Sequence, residues 1–185
     1  MSATTLQPDT SAANTPELSQ GRRWLWLPVV IVAAALVGSS LYWMTHPNWF
    51  SYGNSQTVQT VPHVGVVAAV VQTTWAPSGR TAHISAAVPV VGTNTAHSIV
   101  TVIMCPNATQ ALGMIMAAQL ARACPTVDVM TTAGWTFVPS RNPISVIVTP
   151  TRPGVTVING VRLTYSAGLQ FGTQVAGIQT TVYSK

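Results

Sequence analysis

Trp24 to Met44 reads WLWLPVVIVAAALVGSSLYWM. The run carries no charge, and its length is that of an α-helix crossing a hydrocarbon layer, about 20 residues at about 1.5 Å each. Trp24 and Trp26 mark one end and Tyr42 and Trp43 the other. Along a helix those aromatic belts lie about 28 Å apart, against a bilayer core of about 30 Å. Arg22 and Arg23 precede the run, and the next Lys or Arg is Arg80. The positive-inside rule therefore places the N-terminus in the cytoplasm and everything after about residue 46 outside. On this reading the run is a signal-anchor, its flanks Arg22, Arg23, Trp24, Trp26, Tyr42 and Trp43 set its depth, and the lipid bilayer of the cell membrane is the first partner.

Two other readings compete. A cleaved signal has a shorter apolar core ending in an A-x-A-like site, whereas Gly38-Ser39-Ser40 is followed by the interface residues Leu41, Tyr42 and Trp43. The Arg22-Arg23 pair also fits a twin-arginine signal, but any anchor needs basic residues there. Pro28 falls in the first turn or so, where a missing N–H matters least. Ala34 and Gly38 form a small-xxx-small pair able to seat a second helix.

Outward from the span, residues 1–22 read as a disordered cytoplasmic tail, 23–45 as the membrane helix, 46–60 as a juxtamembrane linker and 61–185 as one outer domain. In the linker, His46 to Gly53 is aromatic and turn-prone, with rings suited to the headgroup layer, and Asn54 to Thr60 is polar.

Charge is scarce: Asp, Glu, Lys and Arg make up 6% of the chain, against about 25% in soluble proteins. Past the span the acidic side chains reduce to Asp128. Acid unfolds proteins mainly through carboxylates ionised in the native state, so this domain is expected to tolerate an acidic exterior. So little charge also gives weak self-repulsion, which favours a surface covered by copies of the chain (a homo-oligomer) or by envelope protein partners. Apart from the Arg22-Arg23 pair the basic residues behind the net charge of +5 are scattered singly, and no nucleic acid partner is expected.

From Val64 onward β-branched runs alternate with Gly, Pro and Asn. Strands are expected near Val64–Thr73, Arg80–Val91, Ser98–Met104, Thr126–Met130, Trp135–Val138, Ser145–Thr149, Val155–Ile158, Val161–Ser166 and Gln174–Tyr183. The first is apolar on both faces and belongs inside its sheet. Asn159-Gly160, between VTVI and VRLTY, is the strongest hairpin signal. Asn107 to Ala123 is rich in good helix formers and predicts one helix, with Asn107 as its cap and Gly113 as a point of interruption. The fold class that results is a single N-terminal transmembrane helix followed by a mainly β, antiparallel, sandwich-like domain with one short helix.

Cys105 and Cys124 flank that helix with 18 residues between them. In a parallel β-α-β crossover they would end roughly 15–20 Å apart, too far for a disulfide, which needs Cα atoms within about 7 Å. An oxidising exterior favours the bridge, worth roughly 3 kcal/mol in loop entropy, with the helix shortened or folded back. A catalytic cysteine lacks a spaced partner base, and Cys-x-x-Cys is absent. A blue-copper set drawn from His83, His97, Cys105 and Met114 lacks the usual His after the Cys, and a disulfide at Cys105 removes it. One outer carboxylate excludes paired-acid chemistry. Asp128 with a histidine and a serine has no G-x-S-x-G elbow, and Asn107-Ala108-Thr109 matches a glycosylation sequon. No catalytic, cofactor or metal residue is assigned. The expected role is a non-enzymatic structural or assembly subunit displaying its domain outside the cell; an extracytoplasmic ligand- or metal-binding module is the alternative.

Overall fold

The structure is a computed structural model, and it describes residues 26–50, 52–61, 63–73, 81–108, 114–131, 134–138 and 141–185. The chain forms two compact units, residues 1–40 and 41–185. Helix α1 (Trp26–Thr45) has no buried residue, and it is long and apolar enough to span a membrane. Several of its residues are β-branched and poor helix formers in water, but in lipid each backbone group must be satisfied within its own segment. Its hydroxyls obey the same constraint. Ser39 and Ser40 both donate to the Leu36 carbonyl, at 3.0 and 2.7 Å, and Thr45 to that of Leu41 at 2.9 Å.

The second unit is a sandwich of two five-stranded sheets. In chain order its elements are β1 (Tyr52–Val61), β2 (Ala68–Thr73), β3 (Ala82–Asn94), β4 (Ile99–Met104), β5 (Met114–Met116), α2 (Ala117–Ala123), β6 (Asp128–Val129), β7 (Trp135–Phe137), β8 (Ile144–Thr149), β9 (Gly154–Ala167) and β10 (Gln170–Ser184). The first sheet runs β1-β10-β9-β3-β7 and the second β5-β2-β8-β4-β6. Pairing among the described strands is antiparallel except for β1, which lies parallel to β10.

The period of two decides which side chains meet. Ile144, Val146 and Val148 of β8 point into the main core with Val102 and Met104 of β4, Ala68 of β2, and Ile84, Ile158, Leu163 and Val182 of the first sheet. The intervening positions, Ala69 and Ile103 with half-buried Ile147, face the other way and pack on Leu120, Ala123 and the two cysteines. β2 thus has cover on both faces, as its apolar sequence predicts.

Three local expectations are corrected. Residues 54–60, expected as linker, are strand β1, because their backbone is claimed by the edge of β10 from Gln56↔Gln179 to Thr60↔Tyr183. Asn159-Gly160 is no hairpin. β9 passes straight through it, since residues 154–158 pair with 180–184 and residues 161–167 with 170–176 of the same strand, β10. The pair lies where both ladders of β9 shift register, standing against three residues of β10 (177–179) and against Val90 alone in β3, which makes it a bulge relative to β3, and Gly160 has φ 98°. The true reversal is Gly168-Leu169, a two-residue turn with its glycine at φ 60°, the pattern of a type II′ hairpin. Finally, of the helix expected over Asn107–Ala123, residues 114–116 are strand β5 and 117–123 are α2, while 109–113 lie outside the described residues. Asn107 holds a left-handed turn (φ 55°), and its N–H donates to Asn142 Oδ1.

Candidate functional site

The most elaborate polar constellation in the second unit gathers around residues 43–50, where the chain leaves α1. A helix end leaves its last four carbonyls without intrahelical donors. Here the Tyr42 carbonyl accepts from the His46 N–H at 2.9 Å, and the Trp43 carbonyl accepts from Gln170 Nε2 at 3.2 Å. Gln170, the first residue of β10, therefore caps α1 from a distant part of the sequence. Its other atom, Oε1, accepts the indole N–H of Trp49 at 2.7 Å.

Gln174, one turn of the strand pattern onward, holds the next residues. Its Oε1 accepts the backbone N–H groups of Trp49 (3.1 Å) and Phe50 (3.2 Å) and the Tyr165 hydroxyl (2.9 Å). Its Nε2 donates to Asn48 Oδ1 at 3.2 Å and to the Phe50 carbonyl. Phe50 is then packed edge-on against Tyr165 (ring centroids 4.8 Å apart) and Phe137 (5.3 Å). Gly172 lies between the two glutamines, and a Cβ added there would sit 3.0 Å from the Pro47 ring; the absence of a side chain is what lets Pro47 approach. Burial raises the Tyr165 phenol above its ordinary pKa, with the Trp49 N–H beside its oxygen acting in the opposite direction.

This overturns the headgroup reading of the aromatic segment for two of its rings. Trp49 and Phe50 are 6% and 1% exposed and belong to the main core, so burying them stabilises the sandwich by about 1.5–3 kcal/mol each. The glutamine clamp was missed because a Gln in a strand gives no sign in sequence of whether it faces water or a buried backbone.

Of the residues singled out from sequence, Arg22, Arg23 and Trp24 lie outside the described residues. Trp26, Tyr42 and Trp43 are exposed on α1, and Tyr42 stacks on His46 with ring centroids 4.1 Å apart. Cys105 and Cys124 form a disulfide with Cα atoms 5.3 Å apart. The bridge ties the end of β4 to the end of α2 and packs beneath Leu120. It consumes the thiolate that a copper site would need. His83 lies exposed on β3 and His97 exposed in the turn before β4, and among the described residues no three His, Cys, Asp or Glu side chains gather as metal ligands.

Chemically, amide side chains bonded to backbone groups neither attack nor exchange protons at neutral pH; they hold position. What fold and site define is a class, an apolar N-terminal helix whose exit is bolted into a two-sheet β domain. No protein-family model matches the chain, and no curated protein is similar to it.

Proposed function

We propose that this protein is a membrane-anchored, non-enzymatic structural or assembly subunit, N-terminus in the cytoplasm, presenting its sandwich outside the cell to copies of itself or to other envelope proteins. The observation that carries the reading is the character of the first sheet. Its five strands contain a single permanently charged side chain, Arg162. Cross-strand rows run over the sheet, one of them Thr93, Val157, Thr181 and Val58 in successive strands. Val58, Val88 and Tyr183 are large apolar side chains left 63%, 53% and 43% exposed. A broad face of Val, Thr and Gln has little self-repulsion and little desolvation cost on contact, which suits protein association.

The test is crosslinking of full-length protein in intact membranes, followed by mass measurement after mild detergent extraction. Species larger than the monomer are expected, and the double substitution Val58→Lys, Val88→Lys should reduce them at least about tenfold by burying two charges in the contact. A wild-type protein that stays monomeric and uncrosslinked would sink the proposal.

A further inference from the structure

The hairpin joining β9 to β10 carries two apolar side chains where water should be. Leu169, in the two-residue turn, is 71% exposed, and Phe171, two residues on, is 54% exposed. The turn itself asks for a glycine at its first central position, which Gly168 supplies, and makes no demand for leucine at the second. Single exposed apolar residues are ordinary. These two differ because they flank Gln170, whose amide is bonded to the Trp43 carbonyl near the end of α1, and because Gly172, next to Phe171, packs on Pro47. They therefore lie beside the aromatic end of the apolar helix, the level at which Tyr42 and Trp43 would meet the headgroups. The surrounding chain suits that environment as well. From Leu163 to Val175 the sequence is LTYSAGLQFGTQV, free of Asp, Glu, Lys, Arg and His, so no charge would have to leave water.

We infer that the β9–β10 tip is a second lipid contact, with Leu169 and Phe171 inserted into the interfacial layer of the bilayer beside the α1 exit. This rests on α1 being a membrane anchor. The tip would give the second unit a membrane contact of its own besides its covalent link to α1.

Full-length protein in phosphatidylcholine vesicles provides the test. The native cysteines are engaged in their disulfide, so Leu169→Cys, Phe171→Cys and Lys185→Cys can each be labelled with an environment-sensitive fluorophore. Lys185 is the control: it follows Ser184, which pairs with Gly154 at the opposite end of β9, roughly 40 Å along the strand at about 3.3 Å per residue. At 169 and 171 the emission should shift to the blue and be quenched by lipid carrying a shallow spin label, with neither change at 185. If alkaline carbonate leaves the protein in the membrane but the labels at 169 and 171 report water, the tip contact is wrong and the anchor stands. A blue shift without quenching by lipid also overturns it, because the cover is then protein. Release by carbonate would remove the anchor and the inference with it.

Discussion

Gln174 is half-buried and holds three donors on one oxygen, two of them backbone N–H groups of the buried residues Trp49 and Phe50, so its removal is expected to cost more than a typical hydrogen bond. Gln174→Leu keeps much of the volume and leaves the Trp49 and Phe50 N–H groups and the Tyr165 hydroxyl without this acceptor. Unmet buried donors cost about 1–3 kcal/mol each, partly relieved by rearrangement, so urea unfolding of the full-length protein in micelles should show a loss of about 2–4 kcal/mol. A loss within about 0.5 kcal/mol, the range of ordinary surface changes, would mean that the clamp does not hold the segment. Tyr165 adds a pH dependence at the alkaline end. Its folded pKa is raised by burial, so the neutral phenol is the form the fold prefers. That stabilisation is complete below about pH 10, the unfolded value, and is lost as pH climbs through the raised folded value. The melting temperature should therefore fall more steeply above pH 10 in wild type than in Tyr165→Phe. Equal slopes would place the alkaline sensitivity elsewhere.

At the scale of elements, the bulge in β9 shows how tertiary pairing overrides a local signal. Asn-Gly favours reversal because both residues accept positive φ, yet here the flanking runs are each claimed by β10 and the chain goes on. β3 shifts register against β9 at the same level, between Pro89 and Val91. Among the described residues β7 pairs with Ala82 to Ile84 and no strand pairs with that side of β3 beyond Ile84, an edge of the kind that tolerates Pro89. Asn159 turns its side chain to Gln179, which donates to Oδ1 at 2.9 Å. A Cβ on Gly160 would strike the Ala176 carbonyl oxygen, and the residue's φ is 98°. Gly160→Ala should then cost about 2–4 kcal/mol through overlap and backbone strain combined, read as a drop in unfolding midpoint. An unchanged midpoint would mean that β9 breaks at this point after all. The strands expected between 98 and 183 were legible because β-branched runs and turn residues report locally. β1 was not: YGNSQTVQTV is polar enough to be linker, and only the neighbouring edge of β10 makes it a strand. The disulfide was legible through its geometry, since a short α2 brings both cysteines to one end of the second sheet. The clamp stayed hidden because the bonds that tie residues 43–50 to Gln170 and Gln174 join positions more than a hundred apart in the sequence.

For the molecule as a whole the decisive quantity is the number of protons the fold excludes. Past α1 the acidic side chains come down to Asp128, half-buried in the short strand β6, and the four histidines, 46, 63, 83 and 97, are all exposed. Acid unfolds a protein when the unfolded chain takes up protons that the native structure resists, either on carboxylates held ionised by partners or on histidines buried neutral. With one carboxylate and no buried histidine among the described residues, acid has few groups through which to act, and the stability curve is expected to have little slope. The remaining acid term is repulsion among a few scattered cations, which salt screens over about 10 Å at 0.1 M. Full-length protein in a zwitterionic detergent should melt within about 5 °C of the same temperature at pH 7 and at pH 3, a span equivalent to about 1 kcal/mol for a domain of this size. A collapse of the melting temperature over that interval would show that folded-state ionisation matters here, and would remove the physical basis for placing the domain in an acidic exterior.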